Sequence, residues 1–168
     1  MTGTQNVNNI LYHTLTLFFL LLFAIYDYRH HKIRNIPLCA FLVWCIFSIP
    51  LRTVSNPDLS WHHCLLQSLW GTASGFIILL GTALMTHGGI GGGDIKLMAV
   101  SGILLGCMGN ILAFILACFF VVILYPLRKI LFPSRKRLAL GPYLSLGIML
   151  THLWGNNIIQ AYLSWPGI

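Results

Sequence analysis

Acidic residues are the scarcest feature of this chain. Glutamate is absent from its 168 residues, and aspartate occurs three times, as Asp27, Asp58 and Asp94. Charged residues of both signs make up 8% of the sequence and hydrophobic ones 57%. Soluble domains carry about 25% charged residues, so that class is excluded. The expectation is an integral membrane protein forming one domain over residues 1–168. No two of the five cysteines (Cys39, Cys45, Cys64, Cys107 and Cys118) form a Cys-x-x-Cys pair, which removes the usual zinc and disulfide frameworks. Most of them fall in apolar runs, where cysteine behaves as a small hydrophobe. Met1 to Asn9 contains no Lys or Arg, so the basic region of a cleavable signal peptide is missing and the first apolar run is expected to stay as a helix. There is no internal repeat and no low-complexity segment.

What the chain has in quantity is apolar sequence in long runs. Residues 10–26 almost cross a hydrocarbon core of about 30 Å at about 1.5 Å per helical residue. Further runs cover 36–51, where Pro37 suits a first helical turn, 64–86, and 142–163. Residues 52–63 are polar and read as a loop. The run 95–125 would be about 46 Å long as one helix, too long for a single untilted crossing. With Gly106 and Gly109-Asn110 near its middle, it reads as two short helices, about 95–106 and 110–127, joined by a tight turn. The expected fold is all-α, a polytopic membrane protein with six transmembrane helices, of which 95–106 is short for a full crossing.

Charge placement supports that reading. With the N-terminus outside, the inner segments 28–35, 87–96 and 128–138 hold Arg29, Lys32, Arg34, Lys96, Arg128, Lys129, Arg135, Lys136 and Arg137, and only Arg52 remains outside. An excess of Lys and Arg in cytoplasmic loops sets orientation. The net charge of +7 is thereby mostly topology, and a nucleic-acid partner is not expected. Merging 95–125 into one span would turn the basic segment 128–137 outward.

The same arrangement brings two of the three acids to one side. Asp27 closes the first run on the inner face and Asp94 opens the fourth, whereas Asp58 lies in an outer loop. A charged residue at mid-bilayer costs about 2.5–3.5 kcal/mol on insertion scales and marks a functional site by default. Asp94 follows Gly88-Gly89-Ile90-Gly91-Gly92-Gly93. These glycines clear side chains from around the carboxyl and free the backbone for conformations closed to other residues. Two close carboxyls cannot both ionise easily, and a pair sharing a proton supplies a base for water and an acid for a carbonyl. Such a pair hydrolyses a peptide with neither metal nor cofactor, and none is expected here. The pair requires that the first and fourth spans pack together.

Tyr26-Asp27 at a helix end and Gly91-Gly92-Gly93-Asp94 at a helix start resemble the Gly-x-Gly-Asp intramembrane aspartyl proteases. The continuation Asp94-Ile95-Lys96-Leu97, and the basic stretch with Ile33-Arg34-Asn35 after Asp27, look like the type IV prepilin peptidases in particular. Arg34 stands where that family usually has proline. Leu140-Gly141-Pro142-Tyr143 resembles the family's entry to its last helix. The resemblance covers about residues 10–163. It implies an aspartic endopeptidase of the bacterial inner membrane, with Asp27 and Asp94 catalytic and Gly91, Gly93 and Lys96 as the supporting motif. The implied substrate is a prepilin or pseudopilin whose short basic leader is cut at the cytoplasmic face. Larger family members also N-methylate the new terminus and carry paired Cys-x-x-Cys motifs; without them, a peptidase-only form is expected.

Other readings attach to the same residues. A general intramembrane aspartyl protease shares Tyr-Asp and Gly-x-Gly-Asp but also has a Pro-Ala-Leu motif, which is absent here. A small proton- or cation-coupled transporter or channel subunit could use Asp27 and Asp94 as ligands, and ion flux without peptide cleavage would mark it. An inactive scaffold of a secretion machine would assemble unaltered without either aspartate. Asp94 alone could cap a helix, and Lys96 could only anchor the inner face. His62-His63-Cys64 near Asp58 suggests a metal site, but adjacent histidines diverge on a helix and no metal is expected. Trp154, Tyr162 and Trp165 fit an interfacial belt. The substrate-binding residues and the oligomeric state are left open.

Overall fold

The computed structural model describes residues 2–30, 35–55, 60–86, 89–131 and 140–164. All five elements are α-helices: α1 (Thr2–His30), α2 (Asn35–Ser55), α3 (Trp61–Met85), α4 (Gly92–Leu131) and α5 (Gly141–Leu163). The helices run further into the polar segments than hydropathy predicts. α2 passes through Pro50 to Ser55 and α3 begins at Trp61, so the expected loop 52–63 is largely helical at both ends. Backbone hydrogen bonding, unlike lipid burial, does not need apolar side chains. Among the described residues three stretches are long and apolar enough to cross a membrane, Ile10–Asp27, Trp61–Met85 and Gly92–Leu124, with a shorter apolar helix at Asn35–Pro50.

α4 is broken at Gly106, whose φ of 69° and ψ of −176° lie in a region essentially reserved for glycine. Asn110 Nδ2 donates to the Met98 carbonyl at 3.1 Å. In one continuous helix those residues would stand about 18 Å apart, so the chain doubles back. α4 is therefore a hairpin of two limbs, 92–105 and 107–131. The sequence predicts two such helices, about 95–106 and 110–127, with a tight turn between them; the break falls at Gly106, the expected end of the first, and residues 107–110 are already helical. Only one residue has to leave helical geometry, and the glycine at 106 can do so without a Cβ penalty. Asn110 serves instead as a clasp: it also donates to the Gly71 carbonyl of α3 at 2.9 Å and accepts from Ser101 Oγ at 3.1 Å. A Cβ on Gly106 would meet the Gln67 side chain at 2.8 Å. Replacing Gly106 with alanine is expected to cost about 1–3 kcal/mol from the backbone alone, measurable as a lower unfolding midpoint in mixed micelles.

α3 lies along α4, α4 packs on α5, α5 on α1, and α2 rests against α4 and α3. Among the described residues no Cα of α1 comes within 8 Å of a Cα of α4. The interior joins Leu20 and Phe23 of α1, Phe41 and Cys45 of α2, Leu97 and Met98 of α4, and Leu144 and Ile148 of α5. Phe23 meets Phe41 edge to face at 5.5 Å. The interior also holds fully buried Thr16, Ser48, Ser101 and Asn110, while Phe18, Val43, Trp70, Met108 and Val122 are exposed. Polar groups paired inside and large apolar ones outside is the arrangement a lipid solvent favours. Trp44 Nε1 donates to Thr16 Oγ1 at 3.1 Å, and Thr16 in turn donates to the Tyr12 carbonyl.

Candidate active site

Asp94 is placed by the start of its own helix. Gly91 immediately precedes α4 and its carbonyl accepts the Asp94 backbone N–H at 3.0 Å. The Asp94 carboxyl reaches back to the backbone of Gly91. This is the back-reaching half of a capping box, since Gly91 has no side chain and pairs through its backbone carbonyl. The sequence offers Asp94 as the cap itself; it is instead the residue that reaches back to the cap. Its carboxyl is thereby held close to the chain. Gly92 and Gly93 belong to the first turn of α4. Among the described residues the positive-φ glycine is Gly106, so Gly89, Gly91, Gly92 and Gly93 do not act through unusual backbone angles. A Cβ on Gly92 would meet nothing within 4 Å, and one on Gly91 would lie 3.4 Å from Asp94 Oδ2.

Asp27 lies near the C-terminal end of α1 and is 5% exposed; Asp94 is 8% exposed. The two carboxyls are near enough for their charges to repel each other. The sequence argument makes this meeting depend on packing between the first and fourth spans, and that packing does not occur. The two helices stay apart, and the side chains approach across the gap between them.

The first residue of α5 completes the site. A Cβ built on Gly141 would lie 2.7 Å from Asp27 Cγ and 3.0 Å from Asp27 Cβ, and nearer still to Oδ2. The carboxyl thus sits against the opening turn of α5, where backbone N–H groups lack intrahelical acceptors. Gly141-Pro142 is recognisable in the sequence as a helix entry, but nothing there links it to a residue on α1. Lys96 is exposed, and its Nζ donates to Asn35 Oδ1 at 3.4 Å, tying the start of α4 to the start of α2. Two residues after Asp94 on a helix, it projects to a different side.

The far end of the α1–α5 pair is closed by a contact that sequence reasoning misses. His13 Nδ1 and His152 Nε2 are 3.0 Å apart, with Tyr12 edge-on to both rings. His62 and His63 are exposed in the first turn of α3. Asp58, which the metal reading needs, lies outside the described residues, as do Arg34, Gly88, Arg135–Arg137 and Trp165.

The chain matches the model of the type IV leader peptidase family over residues 14–126, a span that includes both buried aspartates. It is 37% identical over 150 residues to the prepilin leader peptidase/N-methyltransferase of Bacillus subtilis (strain 168), covering 86% of this chain and 56% of that relative. The chain therefore spans little more than half the length of the curated relative it matches. No solved structure matches it.

Proposed function

From the premise that the chain belongs to the type IV leader peptidase family, we propose that it is an aspartic endopeptidase that removes the leader of type IV prepilins or pseudopilins. The observation carrying this reading is the meeting of Asp27 and Asp94, remote in sequence, both buried and mutually repelling. Both are buried in a chain that has only three acids.

On this reading the pair shares one proton. The ionised carboxyl takes a proton from a water molecule as the water oxygen attacks the scissile carbonyl carbon. The protonated carboxyl gives its proton to the carbonyl oxygen. The resulting tetrahedral carbon collapses and the C–N bond breaks: the departing amine takes the proton first removed from water, and one hydroxyl of the tetrahedral carbon returns its proton to the carboxyl that had given one up. The dyad acts as a unit, and neither aspartate is assigned a fixed proton. Gly91 and Gly93 keep the approach to Asp94 clear, and Lys96 braces α4 against α2 at the inner face.

The topology proposed is six membrane segments with the α4 hairpin supplying two, an outer N-terminus, and the aspartates at the cytoplasmic side of the bacterial inner membrane. That placement meets a substrate whose basic leader remains in the cytoplasm and whose hydrophobic helix lies in the bilayer. The proposal covers the peptide cut alone.

The test is purified protein in liposomes with a purified prepilin, read by product mass. The expected product begins at the boundary between leader and hydrophobic segment. An intact substrate, or a cut deep inside the hydrophobic segment, would overturn the assignment.

A further inference from the structure

Gly141 has no side chain, and the structure gives that absence a specific consequence. The space a Cβ would fill is occupied by the carboxyl group of Asp27, with Cγ at 2.7 Å from the Cβ position. Real Cβ atoms do not approach other atoms that closely, so a side chain at 141 forces either Asp27 or the start of α5 to move. The three nearest atoms all belong to Asp27. Nor is Gly141 needed for its backbone angles, since among the described residues the positive-φ glycine is Gly106.

The surroundings prevent α5 from simply backing away. Gly147, further along the helix, lies against the second limb of α4: a Cβ there would be 2.9 Å from the Ala117 backbone nitrogen and 3.2 Å from its Cβ. At the far end His152 is bonded to His13 of α1. α5 is thus held between α4 on one side and α1 on the other. Because no Cα of α1 comes within 8 Å of a Cα of α4 among the described residues, α5, which packs on both, is the main element relating Asp27 to the body carrying Asp94, with α2 bridging them more lightly through Phe41 and Trp44.

We infer that Gly141 is a positioning residue for Asp27: the bare first turn of α5 is the surface against which that carboxyl is set at its working distance from Asp94. The inference rests on the proposed peptidase reading for its consequence in catalysis, but the contact itself does not. A methyl group at 141 pushes the carboxyl off this seat without changing any group that reacts.

The experiment has two independent readouts. In the first, unfolding midpoints are compared in a double-mutant cycle of Gly141→Ala and Asp27→Ala. Removing the Asp27 carboxyl takes away the two closest approaches and leaves only its Cβ at 3.0 Å. Gly141→Ala is therefore expected to lower the midpoint in the parent and to lower it clearly less in the Asp27→Ala background. Equal losses in both backgrounds, or no loss in either, overturn the contact. This arm holds whether or not the protein cleaves prepilins.

The second readout is leader cleavage by protein shown to be folded. Gly141→Ala is expected to reduce kcat by at least about a hundredfold, within the range a misplaced catalytic group costs, with KM within about threefold of the parent. Gly81→Ala is the control: a Cβ there meets nothing within 4 Å, and parental kinetics are expected. Unchanged kcat in folded Gly141→Ala, or a rise in KM with kcat preserved, overturns the positioning role. A parent protein that cleaves no prepilin removes the peptidase reading and leaves the stability cycle standing.

Discussion

Asparagine in place of Asp94 is expected to lower prepilin cleavage by at least about a hundredfold and up to about ten-thousandfold, the range contributed by a positioned acid or base. The amide has nearly the same shape as the carboxyl and can still accept from the backbone of Gly91, so the bonds that start α4 survive. What is lost is the ability to share and move a proton. Asp27→Asn is expected to give the same loss, and the double variant no more than the worse single one. Groups that work as one unit are strongly non-additive. Both variants should unfold at or slightly above the parent midpoint, because each removes one of two repelling buried carboxyls. Cleavage rates and unfolding midpoints from the same preparations check this. Near-parental turnover in either variant would remove that residue from the chemistry.

The second large effect is structural. Asn110→Ala removes three hydrogen bonds at once, to the carbonyls of Gly71 and Met98 and from Ser101 Oγ. Interhelical hydrogen bonds in membranes average about 0.6 kcal/mol each and reach about 1.7. The expected loss is therefore about 2 kcal/mol or more, with the two carbonyls left in an apolar interior. The clasp joins both limbs of α4 to α3, and the first limb carries Asp94. Cleavage should fall along with the unfolding midpoint and recover at lower temperature. That recovery distinguishes Asn110 from the aspartates, whose loss no change of temperature repairs. Ser101→Ala, which leaves both amide donor bonds in place, should have a markedly smaller effect on both measurements.

Much of this arrangement is legible in the chain before any coordinates. Long apolar runs dictate helices, because a backbone in lipid must satisfy its own hydrogen bonds. The run 95–125 is visibly too long for one crossing, and the charge on either side requires it to reverse. The choice of hinge is less legible. Gly106, Gly109 and Asn110 are all plausible turn residues by type, and the distinction came from Gln67 and Gly71 on α3, partners that local sequence does not specify. Asp27 and Asp94 stand out because acid is so scarce. Their route to each other does not: periodicity says which face a residue occupies on its own helix, not which helices are neighbours. The same limit hid His13 and His152, two ordinary half-buried residues until α1 and α5 are laid side by side. Gly141 was visible as a helix entry and invisible as the seat of a carboxyl.

The separation of α1 from α4 means that neither aspartate's own helix sets the span between the two carboxyls. That span is dictated by an intermediary that contributes no acid of its own. Random substitutions that silence such a protein while leaving it folded should therefore accumulate along the last helix, on its inward stripe. A survey limited to residues flanking the two acids would overlook the part that holds them in register.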